Sequence, residues 1–305
     1  MVLDSHWLAC FSGVTQFPPL GRTRRNRAPV SPKIVVALLA AIFANFGSAA
    51  ESLPQELPPQ EEQAALRRAE AAGLTIYKHD HAAAVASDAL NALSIVKADK
   101  RIQGWITEDK GELIIVTFIG GGPAEASKAL YRVNVSKEGE VTGPPEELKM
   151  PQVLTEFESG AAAARLFAAK YSFQPCTEHY NTVVLPSDSE PAGNWVVYLI
   201  PGTQDPHRIP LGGAYRLELD ATGQRLINQR GFTRSCLIAG DPKAYAKDGP
   251  AVLLASHQMD AVPTEIHVYW NLWSGITLDI VTPPYGTSWA ILKGKIYLLR
   301  RRGPK

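Results

Sequence analysis

Several signatures of chemistry are missing from this sequence. It has no G-x-S-x-G nucleophile elbow, no H-E-x-x-H zinc pair, no P-loop and no C-x-x-C-H haem attachment site. The compact motifs that announce those reactions are therefore excluded. Catalysis by residues distant in sequence is not. Three consecutive glycines in FIGGGPAE, residues 118–125, follow a β-rich run but lead to another one rather than to a helix N-terminus, so a phosphate cradle is not expected there.

Surplus charge is missing as well. The 305 residues carry a formal charge of +1. Residues 1–50 hold Arg22, Arg24, Arg25, Arg27 and Lys33 against Asp4, which is +4 and leaves the rest at −3. A nearly neutral, slightly acidic body lacks the clustered Lys and Arg that nucleic acid demands. The one basic cluster in it is the C-terminal Arg300, Arg301, Arg302 and Lys305. Composition is otherwise that of a globular protein, with 45% hydrophobic and 20% charged residues, so disorder of the whole chain is excluded.

The apolar run IVVALLAAIFANF, Ile34–Phe46, has a basic flank before it and the small-residue exit GSAA after it. It is short for a membrane span and has the three parts of a secretory signal peptide. Residues 1–50 are thus read as a signal-peptide region. Val30 offers an internal start, because VSPKIVVALLAAIFANFGSAA is by itself a signal of ordinary proportions. Export, periplasmic or secreted, follows, with no membrane span in the mature form. Cysteine is scarce. Beyond the signal region only Cys176 and Cys236 remain, and in an oxidising compartment they are expected to pair. Closing a loop of that length stabilises by ~4 kcal/mol in the chain-entropy picture.

The organisation expected is α+β: tandem helix-plus-antiparallel-sheet (αβββ) modules with a C-terminal β-meander, after a signal peptide. Residues 51–60, rich in proline and acid, form a linker. In the first module, 61–150, helices are expected on either side of Gly73, the second from Ala82 to Leu93 capped by Asp80. Strands GWITED, ELIIVTFI and ALYRVNV follow, and Pro144 and Pro145 end the unit. The second module, 151–240, repeats the order. Ser159 caps a helix, and the strands TEHYNTVVL, NWVVYLIPG, GAYRLELD and a further run from Gln224 follow. Tyr131, Arg132 and Gly139 match Tyr215, Arg216 and Gly223 at one constant offset, which suggests duplication. The pattern Y-R-x-x-x-D-x-x-G from Tyr215 to Gly223 loosely resembles the last hairpin of PepSY-type modules, small exported αβ units concerned with inhibition or binding. A dozen residues of hairpin identify no family. Residues 241–305 are read as a helix, PAVLLASHQM, and strands EIHVYWNLW, ITLDIVT and WAILKGKIYLL.

Candidate sites are few. His79 and His81 flank Asp80 but lack further ligands, and His179 sits near Cys176, whose thiol a disulfide would remove. No metal and no cofactor is expected. Asp205, His207 and Arg208 lie on one loop, a combination of acid, base and cation suited to phosphate or carboxylate. Read as a strand, residues 266–273 send His267, Tyr269, Asn271 and Trp273 to one face, an aromatic, hydrogen-bonding surface for an unknown protein, peptide or glycan. The expected function is an exported, non-catalytic binding protein of the cell envelope, inhibitor-like or chaperone-like, using that face. The alternative is a periplasmic hydrolase built on Asp205, His207 and Arg208.

Overall fold

The structure is a computed structural model that describes residues 54–93, 99–121, 126–188, 192–203, 205, 208–240 and 251–303. The segment read as a signal peptide lies outside them. Helix α1 runs unbroken from Pro59 to Asn91. Proline at its start and Glu61 and Glu62 in the first turn suit a helix N-terminus. Gly73, expected as a stop, is instead interior to the helix. A Cβ at this position would sit 2.5 Å from Val268 Cβ and 2.7 Å from the Glu265 carbonyl oxygen. The glycine is therefore the point where a later helix crosses, and tertiary packing overrides its poor propensity.

Strands β1 (Ile102–Asp109), β2 (Leu113–Gly120), β3 (Lys128–Ser136) and β4 (Glu146–Val153) form an antiparallel sheet in sequence order. The fourth strand was not expected after Pro144 and Pro145. It lies at the sheet edge, where Pro151 costs no interior ladder bond. One face, with Val116, Phe118, Tyr131 and Val133, packs on Ala82, Ala86 and Leu90 of α1.

Helix α2 (Glu156–Lys170) is capped by Thr155, not Ser159: Glu158 N donates to Thr155 Oγ1, and Thr155 N donates to Glu158. It precedes a second sheet of β5 (Tyr180–Pro186), β6 (Trp195–Pro201), β8 (Tyr215–Leu219) and β9 (Leu226–Gly231), again antiparallel and in order. The short β7 (Ile209–Pro210) and β10 (Ile238–Ala239) pair with each other. Alternation along β6 buries both faces. Trp195, Val197 and Leu199 meet α2, whereas Tyr198 and Ile200 join a core with α1 and the C-terminal elements. The Cys176–Cys236 disulfide is present.

The C-terminal region is rich in strands but departs from the expected meander. PAVLLASHQM contains a strand, β11 (Val252–Ser256), and EIHVYWNLW is a helix, α3 (Glu265–Ser274). β12 (Thr277–Thr282), β13 (Thr287–Leu292) and β14 (Lys295–Arg300) complete a four-stranded sheet in which β11 runs parallel to β12 and the rest are antiparallel. Helix α3 is apolar nearly all round because it is buried against α1 on one side and this sheet on the other. β-propensity loses to that burial. Thr264 and Gly275, the latter at φ +66°, bound it. The fold is mixed α+β, and no helix among the described residues is long and apolar enough to cross a membrane.

Candidate functional site

The helical conformation of 265–274 dissolves the strand face expected there. Steps of 100° put His267 and Asn271 on one side and Tyr269 and Trp273 on another. Three of the four are buried and structurally engaged. Tyr269 donates to Asp80 Oδ2 at 2.8 Å. Asn271 Nδ2 donates to the carbonyls of Ile276 and Ile291, and its Oδ1 accepts from Gly294 N. His267 Nδ1 accepts from Thr264 N at 3.0 Å, so its proton is on Nε2, and burial pushes its pKa down to about 3. Trp273 is half-buried, edge-on to Trp270. Asp205 and Arg208 occupy an exposed loop in which Arg208 N donates to the Asp205 carbonyl at 3.0 Å. His207 lies outside the described residues.

The His79–Asp80–His81 stretch is mid-helix rather than a helix start. Burial lowers the His79 pKa to about 4, and its Nδ1 lies 2.7 Å from Thr107 Oγ1. Burial raises Asp80 to about 6, although Tyr269 and Asn181 both donate to it. His81 stacks on Tyr77. Beside them is a cavity of about 10 Å³ lined by His79, Asp80, Trp105, Thr107, Arg165 and Thr182. Such a space holds one water molecule and no substrate. Arg165 stacks on Trp105 at 4.1 Å, donates to the Thr182 carbonyl, and is lowered to about 10 by burial. This cluster ties α1, β1, α2, β5 and α3 together.

A second polar cluster was not visible in the sequence because strand register creates it. Arg216 and Arg230 stand directly opposite on β8 and β9, with Tyr198 next in the row on β6. Like charges so placed repel unless matched. Here they are matched: Arg216 reaches Glu218 at 2.7 Å and Glu265 at 3.3 Å, and Arg230 holds Asp260 through two hydrogen bonds. Tyr198 donates to Glu265, and burial pushes its hydroxyl pKa up. His257 Nε2 lies 2.8 Å from Asp260 Oδ2, and its buried ring meets His267 edge-on. Burial would raise Asp260, but His257 and Arg230 together hold it down to about 2. An ionised carboxylate only accepts, so Nε2 of His257 carries the proton.

Asp260 also belongs to the wall of a pocket of about 430 Å³, within the range of small-ligand sites. Leu57, Pro58, Ala65, Met259 and Val262 give it apolar surface, and Glu56, Glu61 and Asp260 give it carboxylates. Glu56 is paired with Arg301. Glu61 has no ion partner among the described residues, so the pocket carries spare negative charge. The His257 ring is hydrogen-bonded to Asp260, and the Thr264 hydroxyl lies 3.0 Å from His267 Nδ1. The arrangement thus offers binding of a cation with an apolar body. Among the described residues no three His, Cys, Asp or Glu side chains converge as a metal-binding group. The chain matches no protein-family model, no curated protein and no solved structure.

Proposed function

We propose that the protein is an exported, non-catalytic binding protein of the cell envelope whose ligand occupies the pocket between the start of α1 and residues 259–262. The single observation that carries this is the pocket itself, with apolar walls and carboxylates that, among the described residues, outnumber the cations paired with them. The ligand class it favours is an apolar group bearing an ammonium or guanidinium, as in a basic peptide side chain. Export is supported by the apolar run Ile34–Phe46 behind its basic flank and by the Cys176–Cys236 disulfide, a bond typical of oxidising compartments.

We further read the chain as a duplicated helix-plus-antiparallel-sheet unit. A helix precedes a four-stranded antiparallel sheet twice, and the matched residues fill matched roles. Arg132 on β3 pairs with Glu158 in the first turn of α2 at 3.2 Å, and Arg216 on β8 pairs with Glu265 in the first turn of α3 at 3.3 Å. Each sheet thereby clamps the start of the next helix. Gly139 and Gly223 both turn their hairpins at positive φ.

Calorimetry with hexylammonium, hexanoate as the control, tests the pocket. Hexylammonium should bind the wild type and hexanoate should not, and Ala65→Trp, which fills the pocket, should abolish binding without lowering the thermal midpoint. Equal binding of both ions, or binding that survives Ala65→Trp, would refute the assignment.

A further inference from the structure

The third sheet is covered on one face only. Leu278, Ile280 and Ile291 point inward into the core shared with α3, and Trp289 on the same face is equally inaccessible. The alternate residues point away from α3. Register places Leu254, Asp279, Ala290 and Tyr297 in one row across all four strands, with Val252 and Leu292 in the neighbouring row. The large members are open: Leu254 is 66% exposed, Val252 53% and Tyr297 53%, and Leu299 at the β14 bulge is 55% exposed. Exposed apolar side chains on β11, β13 and β14, in a sheet about 14 Å across at the usual strand spacing, mark an interaction surface.

The charges around this face choose the partner. Lys293, Arg300 and Arg302 are exposed at its margin without a carboxylate partner among the described residues. Lys295 is matched by Glu70, and Arg301 by Glu56 and Glu62. The one acid in the row, Asp279, accepts from Ser288 Oγ at 2.6 Å. A second copy docked by two-fold symmetry would set these cations against themselves. A surface of lipid phosphates over acyl chains would instead satisfy both the basic margin and the Leu and Tyr side chains.

We propose that the outer face of the β11–β12–β13–β14 sheet docks on an anionic lipid bilayer, peripherally and without insertion of a helix. The test is co-sedimentation of the processed full chain with phosphatidylglycerol or phosphatidylcholine vesicles, alongside light scattering for mass. The protein should partition at least tenfold better onto phosphatidylglycerol and be released by salt. Leu254→Asp with Tyr297→Asp, and separately Arg300→Glu with Arg302→Glu, should each reduce partitioning about tenfold with unchanged thermal midpoints; Leu254→Gln with Tyr297→Gln serves if the acidic pair misfolds. Equal partitioning onto both lipids, wild-type partitioning by all variants, or a dimer that the apolar variants dissociate would overturn the proposal.

Discussion

Asp80 is the residue whose burial has the clearest thermodynamic consequence. Its carboxyl titrates near 6 in the folded protein because burial opposes the charge, whereas an unfolded Asp titrates at about 3.9. A raised acid pKa means that the folded state holds the proton longer. The stability it contributes is therefore complete below the unfolded value and is lost as pH rises through about 6. His79 and His267, lowered to about 4 and about 3, act in the opposite direction: their contribution is present above the ordinary histidine value and is lost on acidification. Asp80→Asn isolates the acid. It should gain about 3 kcal/mol relative to wild type on going from pH 3.5 to pH 8, measured as urea unfolding free energies at the two values. A difference that does not change with pH would show that Asp80 is solvated.

Between helices, Gly73 makes the sharpest claim. Alanine normally stabilises a helix interior by about 1 kcal/mol over glycine. Here Gly73→Ala should instead destabilise by about 2 kcal/mol, because its Cβ meets Val268 and the Glu265 backbone where α1 and α3 cross. Chemical denaturation decides the sign. Replacing Cys176 and Cys236 together by alanine should cost about 4 kcal/mol in the same assay, as expected for a loop of 60 residues. Apart from β4, which follows the prolines read as the end of the first unit, the strands of the first two sheets were legible in the sequence because hydrophobic alternation and turn residues agree. The swap at the C-terminus was not, because EIHVYWNLW combines strand-favouring residues with burial on every side; its only helix signals were Thr264 before it and Gly275 after it. Asp80 read as a cap for the same reason that Gly73 read as a stop: local preference is silent about a helix that runs on under tertiary packing. The Arg216–Arg230 row needed the β8–β9 register, which no sequence spacing supplies.

At the scale of the molecule, two surfaces carry the proposed work and they separate experimentally. The pocket draws on the start of α1 and residues 259–262, and the lipid-facing sheet draws on β11 to β14. Ala65→Trp should therefore silence hexylammonium binding while leaving vesicle partitioning intact. The chain contains three methionines, two of them beyond residue 50. Met259 lines the pocket, and Met150 is on the exposed edge strand β4. Methyl NMR of selectively labelled protein titrated with hexylammonium thus tests the central claim with a built-in control. The Met259 methyl resonance should shift saturably while Met150 stays in place, and the shift should vanish in Ala65→Trp. A Met259 signal unmoved by hexylammonium, or one that moves together with Met150, would contradict it.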